Sequence, residues 1–367
     1  IDLLPDLTFG GSCISLKNHK YTENYVVNTD DLQYRSLSSN TYGSFSITNI
    51  MIGTAFSQSN QDFSETFEKF RENRITVANR LAQRAGIDVT DPDNLDDDGF
   101  PIGFGKSSQA VMLPSFLSAY GGQDASDVGL GFKKTTPLPN WNVKYTGLMR
   151  IKWFKDRFRR LSLQHGYSSV YNVNQFQSNL DYDRNAPYSE LNKDQSGNFK
   201  NEFLISTINL VEQFSPLIKI DMELKNSVSV LAEIRKDRAL SLSFDNDLLT
   251  EVQGDQYTLG LGYRVKDLKI PTRIGGQPRV LSSDLNFKLD FSFRRNQTII
   301  RYLDTNNSQT TAGQDLWSFN FTTDYALSKN LTAIFYYDHI FSEYAVSTAF
   351  PQTTITSGIT LRYNFGN

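Results

Sequence analysis

The chain has 367 residues, with 37 Lys and Arg against 40 Asp and Glu, for a formal net charge of −3; that balance argues against a nucleic-acid binder. A mean hydropathy of −0.42 and the lack of any apolar run of ~18 residues exclude membrane-spanning helices, but not strands that cross a membrane. A single cysteine, Cys13, excludes an internal disulfide framework and any multi-cysteine metal site, while 26 Phe and 18 Tyr demand a location in a chain this polar.

From Ile1 the sequence enters a strand-like pattern without the basic and apolar segments of a signal peptide, as expected of a processed chain or a fragment. Period-two alternation then predicts about twelve strands, at 6–16, 20–28, 42–56, 141–153, 159–178, 202–225, 228–244, 255–265, 284–302, 315–327, 331–341 and 353–365. Residues 1–56 and 141–367 are therefore read as barrel strands, and 57–140 as a partly helical insertion on the outer side, a cap or plug. In the insertion, Asp62 and Glu65 form a capping-box-like start, Phe63 to Leu81 follow helical spacing, and Gly86 is a C-terminal stop. A second short helix is expected from Pro114 to Gly121. Phe100, Phe104, Phe116 and Tyr120, set among glycines, are candidates for a gate or cap over a lumen, or for ordinary packing.

The alternation sorts side chains cleanly. Ile218, Ile220, Met222 and Leu224 face one way, and Lys219, Asp221, Glu223 and Lys225 the other; Leu285 to Phe293 oppose Asp284, Lys288, Asp290 and Arg294. The charged sets are expected to face a lumen, and a one-residue slip would turn four charges toward the apolar side. Tight turns at 225–227, 328–330 and 155–160 contrast with polar connections at 183–200, 245–255, 304–314 and 342–352, as in outer-membrane barrels. The segment 266–283, with Pro271, Gly275, Gly276 and Pro278, reads as a long connection at the turn end. A soluble sandwich also alternates. Strand length, connection asymmetry, the aromatic content and a last strand ending on Tyr363 and Phe365 favour an all-β, transmembrane antiparallel barrel, or an arc of a very large one, in a Gram-negative outer membrane.

The strings PLPNWNVKYTGL (137–148), FKDRFRRLSLQHGYSSVYNV (154–173), EQFSPLIKIDMELKNS (212–227), DDGFPIGFGKSSQ (97–109) and the closing ITSGITLRYNFGN resemble the C-terminal part of the SprA/Sov translocon of type IX secretion. The resemblance implies a pore exporting folded cargo proteins to the cell surface, without catalysis. It also implies that the rest of the same barrel, a FadL-like PorV-type barrel protein, a periplasmic plug protein and the lipid bilayer are partners. It departs from the usual barrel-assembly ending in that Gly366 and Asn367 follow Phe365. A self-contained uptake barrel of the TonB-dependent type is the alternative reading.

Three smaller features remain. Asn94, Asp96 and Asp98, with Gly99 in the turn position, partly match a calcium loop, but position twelve is Gly105 where a bidentate Glu belongs, so no cofactor is expected beyond this weak calcium candidate. His165, with Ser168 and Ser169 nearby, is the one hint of an outer-membrane lipase, although no nucleophile motif accompanies it. The basic turn of Lys155, Arg157, Arg159 and Arg160 suits lipid phosphates, a partner, or simple anchoring at a membrane edge.

Overall fold

The computed structural model describes residues 2–274, 277–305, 307–328, 330–346 and 349–365. Ile1, Gly275, Gly276, Lys329, Gly366 and Asn367, which entered the sequence reading, lie outside the described residues.

Fourteen antiparallel strands form one sheet, two more than alternation alone predicts. They are β1 (Asp2–Leu4), β2 (Leu7–Ser12), β3 (Ser15–Val27), β4 (Tyr34–Thr48), β5 (Asn140–Tyr145), β6 (Phe158–Ser178), β7 (Phe203–Ile205), β8 (Thr207–Leu224), β9 (Val228–Ser243), β10 (Leu248–Ile274), β11 (Gln277–Tyr302), β12 (Ser308–Ala326), β13 (Leu331–Tyr344) and β14 (Gln352–Tyr363). The order along the sheet is β1-β2-β5-β6-β8-β9-β10-β11-β12-β13-β14, with β4 and β7 also on β6 and β3 on β4. Among the described residues β14 pairs only with β13, and β2 pairs with β1 and β5. The two ends of the sheet do not meet, so the molecule is an open all-β arc.

Two of the polar segments counted as long connections, 245–255 and 304–314, are mostly strand. β10 starts at Leu248, β12 at Ser308, and β13 runs on to Tyr344, which shortens the links from β9 to β10, β11 to β12 and β13 to β14. The segment 266–283 is no loop either: past a bulge between Val265 and Leu268, β10 and β11 stay paired down to Ile274 and Gln277. Turn residues such as Pro271 misled there because a two-stranded ribbon beyond the sheet has a free edge for a residue that cannot donate. The asymmetry of connections thus rests on the insertion and on 179–202 alone. At the other end, the basic turn begins as a short helix, α3 (Lys152–Arg157), before β6.

Two helices make up the insertion: α1 (Glu65–Ala85) and α2 (Gln109–Gly121). Ser64, not Asp62, caps α1, accepting from the Phe67 N–H, and Gly86 closes it at φ 79°, a left-handed conformation that glycine adopts without strain. α2 starts five residues before Pro114, and every residue from Val111 to Tyr120 is buried. Its apolar surface is covered on one side by α1 and on the other by the upper part of the sheet, including Ile208, Leu210, Leu240, Leu242 and Leu249.

Candidate functional site

The candidate surface is the sheet itself, and its two faces follow from register. One row of cross-strand partners runs Leu7, Tyr145, Leu163, Ile220, Ala232, Leu259, Phe291, Phe319, His339, Ile355. The parallel row through Met222, Val230, Leu261, Leu289, Phe321 and Tyr337 is equally apolar. These side chains are left in the open: Leu259 is 43% exposed, Trp317 41% and Ile359 74%. The opposite face carries Asp221, Leu231, Gly260, Asp290, Asn320 and Asp338 in one row. Lys219, Asp221, Glu223, Lys288, Asp290 and Arg294 therefore share the polar face, as does Asp284 beside the bulge, where its carboxylate accepts from the Asp267 N–H. Lys225 does not belong with them: β8 ends at Leu224, and Lys225 sits in the turn, its N–H on the Arg157 carbonyl. Ion pairs cross-link the polar face, Arg160 to Asp221 at 3.1 Å, Lys219 to Glu233 at 3.5 Å and Arg294 to Asp237 at 3.4 Å.

The insertion lies on the apolar face, not the polar one. The pairing of β9 with β10 shows no register shift from Ser243 to Val228, so Leu242, Leu240 and Arg238 point the same way as Ile234, Ala232 and Val230. The first three lie beneath the insertion, and the last three belong to the open apolar band. Between the two zones runs a charged row, with Lys236 3.2 Å from Asp255 and Arg295 2.6 Å from Asp315.

Two buried ion pairs fix the insertion and the segment leading into it to the sheet, and sequence reasoning missed both. Arg301 and Glu251, each 1% exposed, meet at 3.0 Å. Arg301 also donates to Ser59 Oγ and the Asn60 carbonyl, and Ser59 donates back to Glu251. Arg238 pairs with Glu212 at 2.9 Å and donates to the carbonyl and hydroxyl of Thr54, while Tyr167 donates to Glu212 and accepts from the Met51 N–H. Of the buried side-chain nitrogens and oxygens of Glu212, Arg238, Glu251 and Arg301, only Nε of Arg238 has no hydrogen-bond partner. Such dense hydrogen bonding is what makes burial of charge tolerable. Glu212, Arg238, Glu251 and Arg301 interrupt the apolar parity of their strands, and that interruption was the available signal.

Phe116 and Tyr120 are fully buried, Phe104 is 3% exposed and Phe100 8%. Phe116 packs against Phe70 at 5.7 Å and Tyr120 at 5.0 Å, and Phe104 against Phe199 at 5.2 Å. All four are core of the insertion; their position on the apolar face removes them from any lumen bounded by the polar face. Burial pushes the Tyr120 phenol well above its ordinary range.

The acidic loop and a second one, unnoticed in the sequence, are copies of one turn. Asp96 Oδ1 accepts from the N–H groups of Asp98 and Phe100, and Asp194 Oδ1 accepts from those of Ser196 and Asn198. Gly99 and Gly197 hold φ of 81° and 79°. The signal that could have found the second turn is the repeated spacing Asn-x-Asp-x-x-Gly, at 94–99 and 192–197. The turns dock on each other: Phe199 donates its N–H to the Gly103 carbonyl, and Gly105 donates to Asn198 Oδ1. Of the calcium candidates, Asp98 is paired with Lys106 at 2.7 Å and Asn94 donates to the Asp88 carbonyl. Among the described residues no three His, Cys, Asp or Glu converge for a metal ion.

His165 lies on the apolar face at the bulge between Gln164 and Tyr167, its Nδ1 2.7 Å from the Leu217 carbonyl. Ser168 points to the other face, and Ser169 stands four residues along the strand, about 13 Å away by strand rise. The structure does not bring the three together. Tyr363 ends β14, and Phe365 follows outside the strand, 92% exposed, with its ring 4.8 Å from that of Tyr363. In the basic turn, Arg157 stacks over Trp153 at 4.2 Å. The chain matches no family model, and no curated protein is significantly similar to it.

Proposed function

We propose that this chain is an arc of the wall of an outer-membrane protein-conducting pore, of the type IX secretion translocon kind that its sequence resembles. The observation that carries the reading is an open antiparallel sheet that is apolar along one face and charged along the other. The apolar run from Leu285 to Phe293, at ~3.4 Å per residue and a tilt of ~40°, rises about 20 Å, close to the apolar belt of such barrels. The charged row of Lys236, Asp255, Arg295 and Asp315 marks where the wall leaves the lipid. The polar face lines the water-filled passage for folded cargo, and the edges at β14 and at β1 and β3 pair with further strands of the same wall. The insertion stands outside the passage, at the membrane margin, where it stiffens the wall and leaves the lumen clear.

The test is strand closure in the intact protein. With Cys13 replaced by Ser, the pair Ser12→Cys and Thr356→Cys is oxidised in cells, and the cargo at the cell surface is measured in parallel. No intramolecular cross-link is expected, together with loss of surface cargo when β14 is deleted. An efficient disulfide between the two introduced thiols, with unchanged secretion, sinks the reading in favour of a self-contained uptake barrel.

A further inference from the structure

At the turn end of the polar face lies a cavity of about 280 Å³ whose charged lining is almost entirely cationic: Arg159, Arg160, Arg264, Lys266 and Lys288, with Glu223 the one acid among them. The site is built by the backbone. A bulge between Phe158 and Arg160 on β6 brings two consecutive arginines to one face, where alternation alone would separate them. Arg159 then reaches Glu223 at 2.7 Å and Arg160 reaches Asp221 at 3.1 Å. The floor is open because Gly262 sits opposite Ser229 and Lys288; a Cβ at that position would fall 2.2 Å from Ser229 Oγ.

All three arginines have an acid in reach, but two cations keep unused charge. Arg264 stands 4.0 Å from Asp284 and donates to Asn286, while Lys266 and Lys288 have no acidic partner among the described residues. We infer that this cavity is a docking site for an extended acidic peptide segment. Arg264 and Lys266 are two residues apart on β10, about 7 Å, which is the repeat of side chains on one face of an extended peptide. Carboxylates at alternate positions match them in turn, with Lys288 across the floor, whereas one small anion reaches only one or two of these groups. A lipid headgroup is disfavoured because the apolar band lies on the opposite face of the sheet. The inference extends the reading of the polar face as a transport surface: the site lies at the end of the passage away from the insertion, where a chain is captured or released.

The experiment measures binding of fluorescein-labelled hexaglutamate to the intact protein in a neutral detergent, with hexaserine as control and inorganic phosphate as competitor. Expected are binding of hexaglutamate that weakens steeply with salt, a loss of at least about tenfold in Lys266→Glu/Lys288→Glu, and a similar loss in Gly262→Leu, which fills the floor without touching a charge. The milder Lys288→Gln, an exposed change that leaves the sheet intact, is expected to give an intermediate loss. Hexaglutamate binding no tighter than hexaserine, or unchanged in the charge variants, overturns the site. So does full displacement by equimolar phosphate, which marks a small-anion site, or a loss seen only for binding to phosphatidylglycerol vesicles, which marks a lipid site. Peptide binding is read on the purified protein and does not depend on strand closure, so this inference and the secretion reading fail separately.

Discussion

Single charges decide how the insertion is held. Arg301 and Glu251 are buried together, with Ser59 and the Asn60 carbonyl completing their hydrogen bonds. Arg301→Ala strands a carboxylate in an apolar contact and is expected to cost about 3–5 kcal/mol of docking, while Arg301→Met with Glu251→Leu, which removes both charges at similar volume, costs far less. Protease cleavage within 57–140 checks this: the single variant is cut readily, the double resists. Asp247, in the link between β9 and β10, adds a pH dependence. Burial, reinforced by the nearby Asp304 charge and opposed by Arg74, pushes its carboxyl up to about 6. The folded protein then holds a proton there that the unfolded chain releases near pH 4. Its contribution to stability is therefore greatest below about pH 4 and is lost as pH rises to about 6. Asp247→Asn is expected to flatten melting temperature against pH across that window and to raise it at pH 7; an unchanged slope refutes the assignment.

At the scale of elements, the insertion is stable because two loops lock onto each other. Gly103 adopts φ 91°, and a Cβ there would fall 2.2 Å from the Phe199 ring. Gly103→Ala is expected to push the 192–200 turn off the insertion at a cost of about 1–3 kcal/mol, read as faster hydrogen exchange at the Phe199 and Gly105 amides, with the amides of β10 unaffected. Ser64→Ala removes the α1 cap for about 1 kcal/mol, seen as fraying of the first turn in the same measurement. The helices were legible from Phe67, Phe70, Val77 and Leu81 at helical spacing and from Gly86, since local periodicity and a left-handed stop are written in the sequence. Their docking was not. Which surface of a sheet a long insertion covers is set by contacts between residues more than a hundred positions apart, such as Ser59 with Glu251.

For the whole molecule, the same parity that made the strands legible concealed where the cover of the insertion ends and the open apolar band begins. Ile208, Leu210, Leu240 and Leu242 share the parity of the open apolar band because burial under a helix and exposure to lipid select the same side chains; the charges out of place on that face, Glu212, Arg238, Glu251 and Arg301, mark the covered zone, and the row of Lys236, Asp255, Arg295 and Asp315 borders it. The charged face was readable residue by residue down to Lys225, where the strand ends one position sooner than alternation suggests. The cationic cavity was not, because it needs the bulge that turns Arg159 and Arg160 the same way. If the open apolar band meets lipid, its tolerance of charge must differ from that of the opposite face at neighbouring positions on one strand. Leu259 and Thr258 supply that comparison on β10, away from the insertion and the cavity. Leu259→Arg places a guanidinium within the band and is expected to cost about 2–4 kcal/mol of folding into a bilayer, whereas Thr258→Arg places it in water beside Glu233 and Ser292, its cross-strand neighbours, and costs little. Denaturant titration of the intact protein folded into phosphatidylcholine vesicles measures both. Equal tolerance at the two positions means that the apolar face is covered by protein, and the wall does not face lipid there.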